Sequence, residues 1–131
     1  SILHWNCIPI FVDIDDKTFC IDPSKIEEKI TKKTIAILSV DIGGQSADYE
    51  KLNYIAKKHN IKIISDSAQA PGSLYKNRFT GTLTDIGGFS LNCHKHIHTG
   101  EWGILVTNNN KIAERLRLLR NHGENVNTKK N

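Results

Sequence analysis

At 131 residues, with 38% hydrophobic and 24% charged side chains, the chain has the size and balance of one globular domain, which excludes a disordered polymer. No run reaches the roughly 18 apolar residues of a membrane span, and no charged-then-apolar leader precedes a cleavage site, so no membrane partner and a cytoplasmic setting are expected. The net charge of +4 comes from scattered lysines and the terminal Lys129-Lys130, without an aromatic-interleaved basic stripe, so no nucleic-acid partner is expected.

Residues 8–13, IPIFVD, form a short apolar run ending in Asp13, Asp15 and Asp16, which predicts a buried strand and a turn. Asp22-Pro23 places a capping side chain before a proline at a first helical position, predicting a helix through Ile26 and Ile30. Residues 34–40, TIAILSV, are continuously apolar and β-branched, as in a strand covered on both faces. After Gly43-Gly44, Asp48 is the candidate cap of a helix with Tyr49, Leu52, Ile55 and Ala56 on one face; Asn60 ends it, and residues 61–65 are the next strand. Strands and helices that alternate with short connections imply parallel strands and right-handed crossovers, an α/β domain with a three-layer αβα arrangement.

Beyond Asp66 the rhythm changes to Pro71-Gly72, Lys76-Asn77-Arg78, Gly81 and Gly87-Gly88, with apolar pieces at 86–91 and 104–107. These two pieces read as strands joined by a loop that contains Lys95. Residues 108–110 cap a further helix with Ile112, Leu116 and Leu119 on its buried side, and the chain past His122-Gly123 is expected to fray. Three cysteines, Cys7, Cys20 and Cys93, at irregular spacings give no disulfide framework and fit a reducing compartment.

Ligands of open parallel sheets sit beyond the carboxyl ends of the strands. Asp13, Asp41 and Asp66 all reach such ends, so position alone does not choose among them; the plain reading of each is a capping or turn carboxylate. His94, His96 and His98 alternate, which on a strand would put three imidazoles on one side, but no orienting carboxylate accompanies them and no metal site is assigned.

Asp66 is singled out by the series of residues it opens: Asp66-Ser67-Ala68-Gln69-Ala70-Pro71-Gly72, Tyr75-Lys76-Asn77-Arg78, Gly81, Asp85-Ile86-Gly87-Gly88-Phe89-Ser90, Lys95 five residues past that serine, and Thr99-Gly100-Glu101-Trp102-Gly103. In this series the chain resembles the DegT/DnrJ/StrS family of pyridoxal-phosphate-dependent sugar aminotransferases, over nearly its whole length and with several motifs in register.

The resemblance implies a fold type I transferase with a mostly parallel sheet, of which residues 1–131 would be the central part of the large cofactor-binding domain, lacking the N-terminal segment and the small domain. It implies pyridoxal 5'-phosphate as cofactor. Asp66 would face the pyridine nitrogen, Lys95 would bind the aldehyde carbon and carry the proton, Gln69 would lie near the ring and its phenolic oxygen, and Ser90 would donate to the phosphate. The implied reaction moves an amino group from an amino acid, glutamate by resemblance, to a nucleotide-linked keto sugar, for amino-sugar or cell-surface polysaccharide synthesis, in a homodimer whose neighbour completes each site. Two alternatives stand beside it: a sugar dehydratase relative, in which a histidine replaces the lysine, and a non-catalytic module of the same fold. An isolated 131-residue piece is expected to be inactive. Departures from the family pattern fall at Asn92, where an aromatic or histidine is common, at Asp41, where a histidine is common, and at Trp102, which replaces a glycine; they bear on the substrate side.

Overall fold

A computed structural model describes residues 2–124. Its centre is a four-stranded sheet built from β1 (Ala36–Val40), β2 (Lys62–Asp66), β5 (Ile86–Ser90) and β6 (Gly103–Val106), in that spatial order. The first three strands are parallel, with Val40 opposite Asp66 and Asp66 opposite Gly88; β6 runs antiparallel to β5. A small antiparallel hairpin, β3 (Leu74–Tyr75) and β4 (Arg78–Phe79), lies outside this sheet.

Helix α1 (Tyr49–His59) joins β1 to β2 and has both of the expected ends. The Asp48 carboxylate accepts the Lys51 N–H, and Asn60 closes the helix in a left-handed conformation that its short amide side chain tolerates. Tyr49, Leu52, Ile55 and Ala56 are its four buried side chains, one turn-spaced stripe, and they pack with Ile37, Ile63, Cys20 and Ile26 into the core. Odd-numbered residues of β1 and β2 point into that core, and even-numbered ones point away. The cover expected on both faces of β1 is therefore found on one: Leu38 remains 43% and Val40 39% exposed, because among the described residues no element lies over their side.

Three local expectations change. Residues 8–13 do not join the sheet; Asp13 and Asp22 instead bracket a tight local hairpin with the single bridge Ile14–Ile21, and Asp15 turns the chain by accepting the N–H groups of Lys17 and Thr18. With no strand partner among the described residues, Ile8 and Phe11 remain 83% and 87% exposed. Asp22 does cap Ser24, but the segment it starts is two single 3-10 turns, Pro23–Lys25 and Glu27–Lys29. Ile30 is already extended, and the Thr31–Thr34 turn stops the segment before a helix can gain cooperative length. In α2 (Asn110–Arg120), capped by Asn109, Ile112 and Leu116 are half-buried as expected, but Leu118 takes the place given to Leu119, which is 64% exposed. The expected fraying after Gly123 falls outside the described residues from 125 onward.

The unforeseen β3–β4 hairpin has a physical signature in its turn: Lys76 and Asn77 both have positive φ, as a two-residue hairpin of this twist requires. It docks on the start of α1, where the Tyr75 hydroxyl donates to Asp48 at 2.8 Å and Lys76 pairs with Glu50. Asp85 uses its carboxylate locally, accepting the Ile63 N–H and pairing with Lys62, which ties the start of β5 to the start of β2. No helix among the described residues is long and apolar enough to cross a membrane.

Candidate functional site

Because β1, β2 and β5 run parallel, the residues at their carboxyl ends collect on one edge: Asp41 just past β1, Asp66 at the end of β2 and Ser90 at the end of β5. Asp66 and Ser90 line one shallow cleft of about 310 Å³ with Leu38, Ile64, Ala68, Gly88 and Leu105. A larger surface hollow, about 560 Å³ between residues 30–34 and 59–61, lies where β1 and β2 begin, the end of a parallel sheet at which ligand sites do not form.

Asp66 leaves most of its carboxylate open to this cleft; Oδ1 accepts the Ala68 N–H at 3.0 Å, which turns the chain sharply after the strand. Its backbone is tied on both sides, with the Asp41 N–H donating to the Asp66 carbonyl at 2.9 Å and the Ser67 N–H to the Gly88 carbonyl at 2.8 Å. Opposite Asp66 stands Gly88. A Cβ there would make only ordinary van der Waals contacts, with the Leu105 side chain at 3.6 Å and the Ser65 carbonyl oxygen at 3.8 Å, so the glycine keeps the surface beside the carboxylate low without being required by a close backbone approach.

Asp41 has the opposite fate. Fully buried, its Oδ1 accepts the Ala47 N–H at 3.0 Å and the Tyr49 hydroxyl at 2.8 Å, while Oδ2 accepts the Ser67 hydroxyl at 2.6 Å. Burial, together with the neighbouring Asp41 charge, pushes the Tyr49 phenol far above its ordinary range, so it stays a donor. Asp41 thus acts as the buried acceptor that fixes Ser67, the residue next to Asp66. By strand-end position alone the sequence did not separate Asp41 from Asp66, which its motif series singled out, and it gave no role to Ser67 or to the Tyr49 hydroxyl; Tyr49 looked like part of an apolar helix stripe.

The other two predicted residues, Gln69 and Lys95, do not line the cleft. Gln69 accepts the Gly43 N–H at 2.8 Å through Oε1, joining the turn after β2 to the turn after β1. Lys95 is half-buried in the loop of residues 91–102, its N–H donating to the Asn92 carbonyl at 2.9 Å. His94, His96 and His98 are exposed in the same stretch, which is a series of turns and not a strand, so the alternation that would align them is absent.

The model of the DegT/DnrJ/EryC1/StrS aminotransferase family matches residues 1–131. The chain belongs to this family. A dTDP-3-amino-3,6-dideoxy-alpha-D-galactopyranose transaminase of Aneurinibacillus thermoaerophilus is 48% identical over 116 residues, 88% of this chain and 32% of the relative. A GDP-perosamine synthase of Caulobacter vibrioides is 38% identical over 127 residues, covering 97% of this chain and 34% of its own length. The crystal structure of NtdA from Bacillus subtilis, with bound cofactor PMP, superposes with a TM-score of 0.86 at 36% identity, over 98% of this chain and 29% of NtdA. The chain therefore spans about a third of the length of the curated relatives it matches, and its fold is that of the fold type I transferases.

Pyridoxal 5'-phosphate is the cofactor of the DegT/DnrJ/EryC1/StrS family, and the residues on the carboxyl edge fit such a group. An open carboxylate suits a protonated ring nitrogen, a hydroxyl suits a phosphate, and an amine stands on the adjoining loop. Gly88, without a side chain, forms part of the cleft lining beside Asp66.

Proposed function

We propose that the full-length protein containing this segment is a pyridoxal-phosphate-dependent aminotransferase that moves an amino group from an amino acid, glutamate by family likeness, to the keto carbon of a nucleotide-linked sugar. The observation that carries this reading is the convergence of Asp66 and Ser90 on one cleft, with the Lys95 loop leaving the same strand end, in a chain that matches the family throughout. Residues 1–131 form the central part of the large cofactor-binding domain in this reading, and a homodimer completes the site. A cytoplasmic enzyme of amino-sugar or polysaccharide synthesis agrees with the named sugar substrates of the relatives.

When bound, the cofactor supplies an electron sink for the carbon that loses or gains the amino group. Asp66 would hold the ring nitrogen in its protonated form, since an open carboxylate stabilises a cation at contact distance. Ser90 would donate a hydrogen bond from its hydroxyl to a phosphate oxygen. Gln69, through the turn it fixes at Gly43, shapes the rim near the ring's phenolic oxygen. Lys95 would be the residue that holds the cofactor at its aldehyde carbon, and its Nζ would be the group that takes and returns the proton of the reacting carbon.

The test is an absorbance titration of purified full-length protein with pyridoxal phosphate. A band at the visible edge, lost in Lys95→Ala and followed by amino transfer from glutamate to one member of a panel of keto sugar nucleotides, is the expected result. A wild-type protein with no band would overturn it.

A further inference from the structure

Within the loop that carries Lys95, one residue gathers most of the polar contacts. Its two legs meet through Leu91 N–H to the Trp102 carbonyl at 2.7 Å and Thr99 N–H to the Leu91 carbonyl at 3.0 Å. Inside that closure, Asn92 uses every polar group it has. Its N–H donates to the Ser90 hydroxyl oxygen at 3.3 Å, and its carbonyl accepts the Lys95 N–H at 2.9 Å. In the side chain, Oδ1 accepts the His94 N–H at 3.0 Å, while Nδ2 donates to both carboxylate oxygens of Glu101, each at 2.7 Å. The orientation of the amide is set by its partners: a flipped group would set a carbonyl against a carboxylate and an NH₂ against an N–H.

These contacts do different things. The Glu101 contact is a charge-assisted pair across the loop, stronger than a neutral hydrogen bond. The His94 and Lys95 contacts fix the turn from which the lysine stem leaves. The Ser90 contact connects the same residue to the hydroxyl at the cleft. Of the other side chains of this loop, His94, His96, Ile97, His98 and Trp102 are exposed, Leu91 is half-buried, and the Cys93 thiol makes only long contacts to the same pair, 3.8 Å to Asn92 Oδ1 and 3.9 Å to Glu101 Oε1.

We propose that Asn92, locked by Glu101, is the positioning residue for Lys95: it sets the backbone from which the lysine reaches the cofactor and couples that position to Ser90. This rests on the aminotransferase function proposed for the full-length protein. A lysine amine on four flexible carbons is aimed chiefly by where its Cα stands, and misplacement by about 1 Å can cost on the order of a hundredfold in rate. The asparagine combines a donor for Glu101 with an acceptor for the turn.

The experiment uses full-length protein stripped of cofactor, in four forms: wild type, Asn92→Asp, Glu101→Gln, and the double variant Asn92→Asp/Glu101→Gln. Asn92→Asp keeps the shape and the acceptor for His94 but opposes two carboxylates. The double variant restores a donor–acceptor pair with the roles exchanged, since the glutamine amide donates to the new aspartate. Two quantities are read: hydrogen–deuterium exchange of peptide 91–102 without cofactor, and the rate at which the lysine-dependent visible band appears when pyridoxal phosphate is added. Asn92→Asp is expected to exchange faster in this peptide and to slow the band on the order of tenfold, with the double variant recovering most of both. Three outcomes overturn the proposal: exchange and band rate at wild-type values in Asn92→Asp; faster exchange with an unchanged band rate, which would make the clamp structural only; or a double variant no better than Asn92→Asp. A wild-type protein that gives no band in any form fails already at the aminotransferase reading and takes this proposal with it. A band that forms normally in wild type and is lost in Lys95→Ala isolates the clamp as the point under test.

Discussion

The two faces of the central sheet treat the same residue types in opposite ways. On the face under α1, Asp41 is fully buried with three hydrogen-bond donors aimed at it, and Gly87 lies so close to the preceding loop that an added Cβ would collide with the Gly81 carbonyl oxygen. On the other face, one residue along each strand, Asp66 leaves its carboxylate open and Gly88 has only ordinary contacts within reach of a Cβ. An aspartate and a glycine on the covered face hold the fold together; on the open face the same pair makes few contacts and leaves a carboxylate at the surface. Under the proposed function, function and stability divide by face, within neighbouring residues.

The sharpest way to break this comparison is the glycine pair. Gly87→Ala should lower the stability of the full-length protein by more than about 3 kcal/mol, since the clash is with backbone that cannot step aside. Gly88→Ala should leave the denaturation midpoint nearly unchanged while weakening pyridoxal phosphate binding, as read by cofactor titration. Equal losses of stability in the two variants would erase the distinction between the faces.

Next comes the aspartate pair. Asp41→Ala strips the acceptor from Ala47, Tyr49 and Ser67 at once, and buried donors left unpaired should cost about 3 kcal/mol in urea denaturation. Asp66→Ala should stay within about 0.5 kcal/mol of wild type in the same measurement, as an open surface carboxylate does, yet lose the visible band. A smaller cut into the covered side is Tyr49→Phe, which removes one of the three donors to Asp41 and should cost about 1 kcal/mol.

The smallest effect concerns the rim of the covered side. Burial raises the Asp48 carboxyl's pKa, but hydrogen bonds from Lys51 and Tyr75 and the Lys51 charge outweigh it and hold the group below the usual carboxylate value of 3.8. A depressed folded-state pKa stabilises fully above 3.8 and loses that contribution as pH falls through the lower folded value. Urea midpoints measured from pH 5 down to pH 2.5 should therefore fall more steeply in wild type than in Asp48→Asn. Parallel curves would show that the cap and the Tyr75 contact add nothing dependent on charge.

Much of the frame could be read from residues. The strands at 34–40, 61–65, 86–91 and 104–107, and α1 with Asp48 and Asn60 at its ends, came from periodicity and capping chemistry, and they agree with the structure within a residue or two. Less legible were segments whose local pattern was strong but whose partner was not: residues 8–13 satisfied a strand pattern and found only their own hairpin, and Ile26 and Ile30 marked a helix that the Thr31–Thr34 turn cut into two 3-10 turns. Apolar spacing in α2 placed Leu119 one residue away from the side chain, Leu118, that is half-buried.

By itself the sequence determined which residues share a face, because a strand alternates with period two and a helix with period 3.6, and it determined the family through motifs held at set spacings. Only the tertiary structure decided which face is sealed. Tyr49 had to fold back from the first turn of α1, and Ser67 had to turn inward past the end of β2, before Asp41 became a buried acceptor and Asp66 an open one. In the same way, nothing in the nine-residue spacing of Asn92 and Glu101 declares a hydrogen-bonded pair; the antiparallel pairing of β5 with β6 brings the two legs of the loop together and makes it one.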